Sequence, residues 1–228
     1  MNNVFAAAAL VALLASPAFA ADLVIDTPEE GYPTLAGDNW SGFYVGLYGG
    51  YGLGDASTLA GVVPDDIPLS GGMVGAAAGF NHQMDRVVLG VEGDIAWIGA
   101  AGTSLCADNI IFECSGSLDW LATLRARAGV AYDSALIYAT AGVAVAGGTA
   151  TVEPAPLFAT GEFSDTFVGW TAGFGAELKL TDNISARAEY AFTDLGTRTA
   201  PQGTLTTMGE TEISPYLNTV KLGLNFAF

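Results

Sequence analysis

From Trp40 onward the chain alternates large apolar side chains with small or polar ones, in segments of about ten residues that are each followed by a break. This period of two predicts strands over 41–51, 73–82, 87–98, 118–131, 135–146, 166–180, 184–194 and 216–228. The breaks alternate in length. Long polar stretches occupy 52–72, 99–117, 147–165 and 195–215, and short turns fall at Gln83–Arg86, Tyr132–Ser134 and Thr181–Asn183. Four long and three short connections join eight strands, with both chain termini on the side of the short turns. That rhythm predicts an all-β, eight-stranded antiparallel up-and-down transmembrane barrel with four long outer loops and three short periplasmic turns.

The two faces of these strands differ in chemistry. One carries Phe43, Val45, Leu47, Val87, Leu89, Val91, Ile95, Trp97, Leu118, Trp120, Leu124, Ile137, Val143, Val145, Trp170, Phe174, Leu178, Tyr190, Phe192, Val220, Leu222, Leu224, Phe226 and Phe228. The other carries glycines and charges. A soluble barrel would put the large apolar face inside, around an apolar ligand. A small eight-stranded interior cannot hold every Trp and Phe of that face, so the face is predicted to meet lipid. Aromatics near the strand ends support this: Trp97, Trp120, Trp170 and Phe192 at the long-loop end, Phe43, Phe80, Phe226 and Phe228 at the short-turn end, as at two membrane interfaces.

The opposite face then lines the lumen. It holds Glu92, Asp94, Arg125, Arg127, Glu177, Lys179, Arg187, Glu189 and Lys221, five of the seven basic residues of the chain. Unpaired charges in a confined lumen are costly, so pairing is expected: Glu92 and Asp94 with Arg125 and Arg127, and Glu177 and Lys179 with Arg187 and Glu189. Such a network plugs and rigidifies a barrel too small to conduct. The alternative is a narrow, gated polar pathway for ions or small solutes.

Composition adds three constraints. The 228-residue chain is 51% hydrophobic yet 14% charged, without the long apolar run of a membrane helix, as transmembrane strands require. A net charge of −17 excludes nucleic acid as a partner. Catalytic chemistry is not evident: there is no Ser/His/Asp grouping, no phosphate-cradling loop and no metal-ligand spacing, and the sole histidine, His82, sits beside a predicted turn. The chain therefore reads as a non-enzyme without cofactor or metal. Cys106 and Cys114 lie close together in one polar stretch, and a disulfide stapling the second long loop is the reading that suits an oxidising compartment. Acidic residues crowd the long stretches, among them Asp55, Asp66, Asp108, Glu153, Glu162, Asp165, Glu210 and Glu212. They could bind divalent cations shared with lipopolysaccharide or serve as solvated surface.

The ends assign a destination. Residues 1–20 read as a secretory signal, with an apolar stretch from Val4 to Leu14 and an Ala18-Phe19-Ala20 cleavage site. Residues 21–39 read as an acidic periplasmic leader, and 40–228 as the barrel domain. The last residues resemble the C-terminal signal read by the outer-membrane assembly machinery, with Lys221, Gly223, Phe226 and Phe228 at its positions. Outer-membrane lipid and lipopolysaccharide, that machinery and periplasmic chaperones are the partners this implies; no oligomer is legible.

Four segments carry a wider resemblance: Trp40–Tyr51, Val88–Trp97, Leu118–Gly129 and Val168–Gly173. Taken in order they resemble the small OmpA-type outer-membrane barrels of alphaproteobacteria, the RopB-like and hemin-binding surface proteins often grouped as a porin family. The resemblance covers 40–228 and implies an eight-stranded barrel in the outer membrane of a Gram-negative bacterium, with envelope-integrity or surface-antigen roles and sometimes hemin binding. The hemin role does not carry over residue by residue. No loop histidine or Cys-Pro pair stands ready to ligate iron, although a rim tyrosine such as Tyr216 stays open, and acidic loops would repel the propionates.

Overall fold

The computed structural model describes residues 39–60, 63–105, 112–154, 161–201, 205 and 210–228. Among them are nine strands and no helix: β1 (Gly42–Ala60), β2 (Val63–Met84), β3 (Val87–Leu105), β4 (Phe112–Tyr132), β5 (Ala135–Pro154), β6 (Gly161–Lys179), β7 (Ile184–Asp194), β8 (Arg198–Ala200) and β9 (Thr211–Ala227). Each of β1 to β6 pairs antiparallel with the next, β7 pairs with β9, and β9 closes on β1. Eight long strands thus form a ring. The three-residue β8 adds to the far end of β9, where Ala200 faces Thr211.

Three tight connections close one end. Asp85 and Asp133 take positive φ values of 54° and 50°, a region short Asx side chains tolerate better than most residues. The third connection runs through 180–183, where the Asn183 side-chain amide donates to the Ala227 carbonyl at 2.9 Å. At this end Phe228 N–H donates to Phe43 O at 3.0 Å, so the last residue is held against the first strand.

The outer face matches the predicted lipid surface. Phe43, Leu47, Val74, Trp97, Leu124, Ile137, Phe174, Val220 and Leu222 are all exposed, which in water would be a severe liability and in a bilayer is the stable arrangement. Aromatic pairs bracket the belt. Phe43 packs on Phe80 with ring centroids 4.8 Å apart at the turn end, and Trp170 on Phe192 at 5.4 Å at the other.

Two expectations are corrected here. The stretches 52–72, 99–117 and 147–165 are mostly strand rather than loop: β1 to β6 run for 19 to 22 residues, about twice what a bilayer requires. The alternation persists beyond the membrane with its sense reversed. In β2, Asp66, Pro68 and Ser70 point out while Ile67 and Leu69 are 2% exposed and point in, as in a soluble barrel. The second correction is Leu118, assigned to the lipid face and found 3% exposed inside. A bulge between Leu118 and Trp120 in the β4–β5 pairing shifts the phase of the strand.

The signal, most of the leader and Cys106 fall outside the described residues. Cys114 is disulfide-bonded.

Candidate functional site

The barrel interior is built in three layers. At the turn end a small apolar group of Trp40, Val88, Ala131, Leu136 and Tyr138 lies within the ring. Trp40 enters from the segment before β1, its backbone N–H donating to Gln83 Oε1 at 2.7 Å, while the Gln83 backbone N–H donates to Ser41 Oγ at 2.9 Å. Lys179, assigned to the lumen network, sits here instead. Its ammonium donates to Asn39 O at 3.0 Å and lies 5.1 Å from the Trp40 ring centroid, because its position on β6 is one step nearer the turns than Glu177.

Above lies the charged layer. Arg125 on β4 reaches Glu92 and Glu189 at 2.6 Å each and Asp94 at 3.1 Å. Arg187 on β7 reaches Glu92 at 2.6 Å and Glu189 at 3.4 Å. Lys221 on β9 contacts Asp94 at 3.3 Å and Glu189 at 4.0 Å, and Arg127 pairs with Glu177. The bridges between β4 and β7 and between β7 and β3 cross the lumen. All eight side chains are no more than 4% exposed, and four carboxylates face four cations, so the layer is neutral. The expected neighbour pairing of Glu177 with Arg187 does not form. Arg187 is drawn across to Glu92, and Glu177 takes Arg127 with hydrogen bonds from Ser185 and Asn225.

Three tyrosines complete this layer and were not singled out from the sequence. Tyr44 donates to Glu92 at 2.7 Å, Tyr48 to Asp94 at 2.6 Å and Tyr138 to Glu189 at 3.1 Å. Each stands opposite a glycine on the adjacent strand: Gly79, Gly75 and Gly175 respectively. A Cβ on any of those glycines would come within 2.6 Å of the tyrosine ring or hydroxyl, so the missing side chain makes room for the phenol to lie across the wall. The guanidinium of Arg127 stacks on Tyr138, 3.7 Å from the centroid. The signal was legible in parity: Tyr44, Gly46 and Tyr48 share a face that alternates against Phe43, Val45 and Leu47.

The third layer is apolar. Inside the outer half of the ring, Ile67, Leu69, Met73, Ile98, Leu118, Leu121, Phe167, Leu195, Ile213 and Leu217 form one buried cluster, with Leu205 packed against it. Apolar side chains thus lie within the ring above and below its charges. His82 is exposed near the first turn, and among the described residues no group of three or more metal-ligating side chains occurs. Tyr216 lies at the outer belt, hydrogen-bonded to Asp55.

Comparison with known proteins fits this architecture. The model of the outer membrane protein beta-barrel domain matches residues 6–228. The chain belongs to that family. It is 38% identical over 199 residues to the 25 kDa outer-membrane immunogenic protein of Brucella abortus, covering 86% of this chain and 84% of the relative. It is 32% identical to the 31 kDa outer-membrane immunogenic protein of Brucella melitensis, covering 97% and 98%. The 22 kDa outer membrane protein of Rhizobium leguminosarum is 32% identical over 71% of this chain and 67% of its own. Among solved structures, OprG of Pseudomonas aeruginosa shares the fold at a TM-score of 0.52 and 13% identity, over 82% of this chain and 97% of that one. As a member of the family the chain is an outer-membrane β-barrel protein of a Gram-negative bacterium.

Proposed function

We propose that this protein is a non-enzymatic envelope component: a sealed barrel that stabilises the outer membrane and displays its water-exposed extension at the cell surface. The observation that carries the reading is the neutral charged layer capped by an apolar core. A conducting lumen needs a continuous wet path, and ten buried apolar side chains in the outer half oppose one. Charges paired across the lumen, Arg125 with Glu189 and Arg187 with Glu92, tie the ring together instead of lining a channel.

The extension supports the display role. Its outward positions include the acidic Asp66 and Glu162, and its folded wall offers a surface to solvent. The Brucella relatives are named as immunogenic proteins, which agrees with surface exposure. Outer-membrane lipid and lipopolysaccharide are its surroundings in this reading, and the Lys221, Gly223, Phe226 and Phe228 ending is what the assembly machinery and its chaperones would engage. Hemin capture is not favoured, since the one rim tyrosine considered, Tyr216, donates its hydroxyl to Asp55.

Deleting the gene tests the role. Cells without the protein are expected to become sensitive to bile salts and chelators, with wild-type protein restoring resistance. Unchanged resistance together with a loss of small-solute uptake would favour the transport reading.

A further inference from the structure

The barrel wall is interrupted at one level. In the β2–β3 ladder the pairing passes from Ser70 and Ala101 to Met73 and Ile98, leaving Gly71 and Gly72 without partners. In the β3–β4 ladder the register shifts between Trp97 and Ala100, and in the β4–β5 ladder between Leu118 and Trp120. Asp119 is the residue this last shift leaves unpaired. These faults meet in an outward notch of about 510 Å³ lined by Gly72, Met73, Val74, Trp97, Ile98 and Gly99, with Asp119 on its lining.

Glycine has two uses here. A Cβ on Gly71 would lie 2.0 Å from Gly99 O, so this glycine lets two strands approach. A Cβ on Gly72 would meet nothing within 4 Å, and one on Gly99 only Gly72 O at 3.8 Å. Packing does not demand glycine at those two positions; their missing side chains leave the notch open. Its lining runs from the exposed Val74 and Trp97 to Met73 and Ile98, which belong to the inner apolar cluster. Trp97 pairs with Trp120 at the outer aromatic girdle, so the notch opens at the level of the outer-leaflet interface.

Asp119 decides the occupant. It is exposed, makes no ion pair among the described residues, and stands beside a tryptophan at the lipid boundary, where a carboxylate attracts a cation more strongly than in bulk water. We propose that the notch binds an outer-leaflet lipid carrying a free amine, its acyl chain against the exposed Val74 and Trp97 and over the bare backbone at Gly72 and Gly99, and its ammonium on Asp119. Anionic amphiphiles are disfavoured by this carboxylate.

Bromine-labelled dodecylamine and dodecyl sulfate distinguish the outcomes. Each is titrated, with chelator present, into the full protein isolated from outer membranes in neutral micelles, and Trp fluorescence quenching is read against a Trp97→Phe control. The amine is expected to quench Trp97 saturably at a concentration about tenfold below that of the sulfate. Gly72→Leu, which fills space that nothing occupies, is expected to abolish saturation, and Asp119→Asn to make the two amphiphiles equivalent. Gly99→Val provides a second filling should Gly72→Leu fail to fold by heat-modifiable gel mobility. Equal quenching by both amphiphiles in the wild type, or saturation that survives the filled notch, would overturn the assignment.

Discussion

Arg125 is where single-residue chemistry weighs most. It holds Glu92, Asp94 and Glu189 together, and replacing it with Met leaves three buried carboxylates short of a cation. Equilibrium unfolding in urea is expected to show a loss of about 3–5 kcal/mol for Arg125→Met, and a loss below 1 kcal/mol would show the layer to be hydrated and weakly coupled. The peripheral pair behaves differently. Arg127→Met with Glu177→Gln removes a charge of each sign, so the double variant is expected to be more stable than Arg127→Met alone. An additive result would mean the two side chains do not sense one another. At Gly79 even one methyl group collides with the Tyr44 hydroxyl, 2.4 Å from the built Cβ, so Gly79→Ala is expected to cost about 1–3 kcal/mol in the same assay.

Among the elements, the membrane half was legible and the outer half was not. Eight strands, their order and three turns follow from apolar residues at alternate positions, such as Phe43, Val45 and Leu47. Beyond the girdle that rule inverts. Ile67 and Leu69 point inward between Asp66, Pro68 and Ser70, so a search for apolar-outward alternation stops where the lipid stops. Leu118 was misassigned for a related reason, because a bulge changes parity without marking the local sequence. The candidate network was readable in composition, since scarce basic residues shared one face. Its partners were not, because Arg125 to Glu189 and Arg187 to Glu92 span the lumen and depend on closure. Lys179 kept the correct parity and left the network by one step of height. Two measurements test the extension. Amide hydrogen exchange should be slow across 66–72 and 161–168, as in paired strands and unlike loops. Phe167→Ala should cost about 3–5 kcal/mol, since the ring is 4% exposed inside the outer core.

For the whole molecule, the layers act in series. Trp40 and its neighbours lie within one end, a neutral set of eight charges lies in the middle, and the apolar cluster lies within the other end. In the proposed reading the lipid-facing belt anchors a sealed ring, and the extension carries acidic residues such as Asp66 and Glu162 outward. The most direct test is single-channel recording of the full protein, isolated from outer membranes, in planar bilayers. A sealed barrel predicts silence from the wild type at moderate voltage, unchanged by Glu92→Ala. Stable unitary openings whose conductance shifts with Arg125→Ala or Glu92→Ala would contradict the sealed-barrel account and make the charged layer a gate.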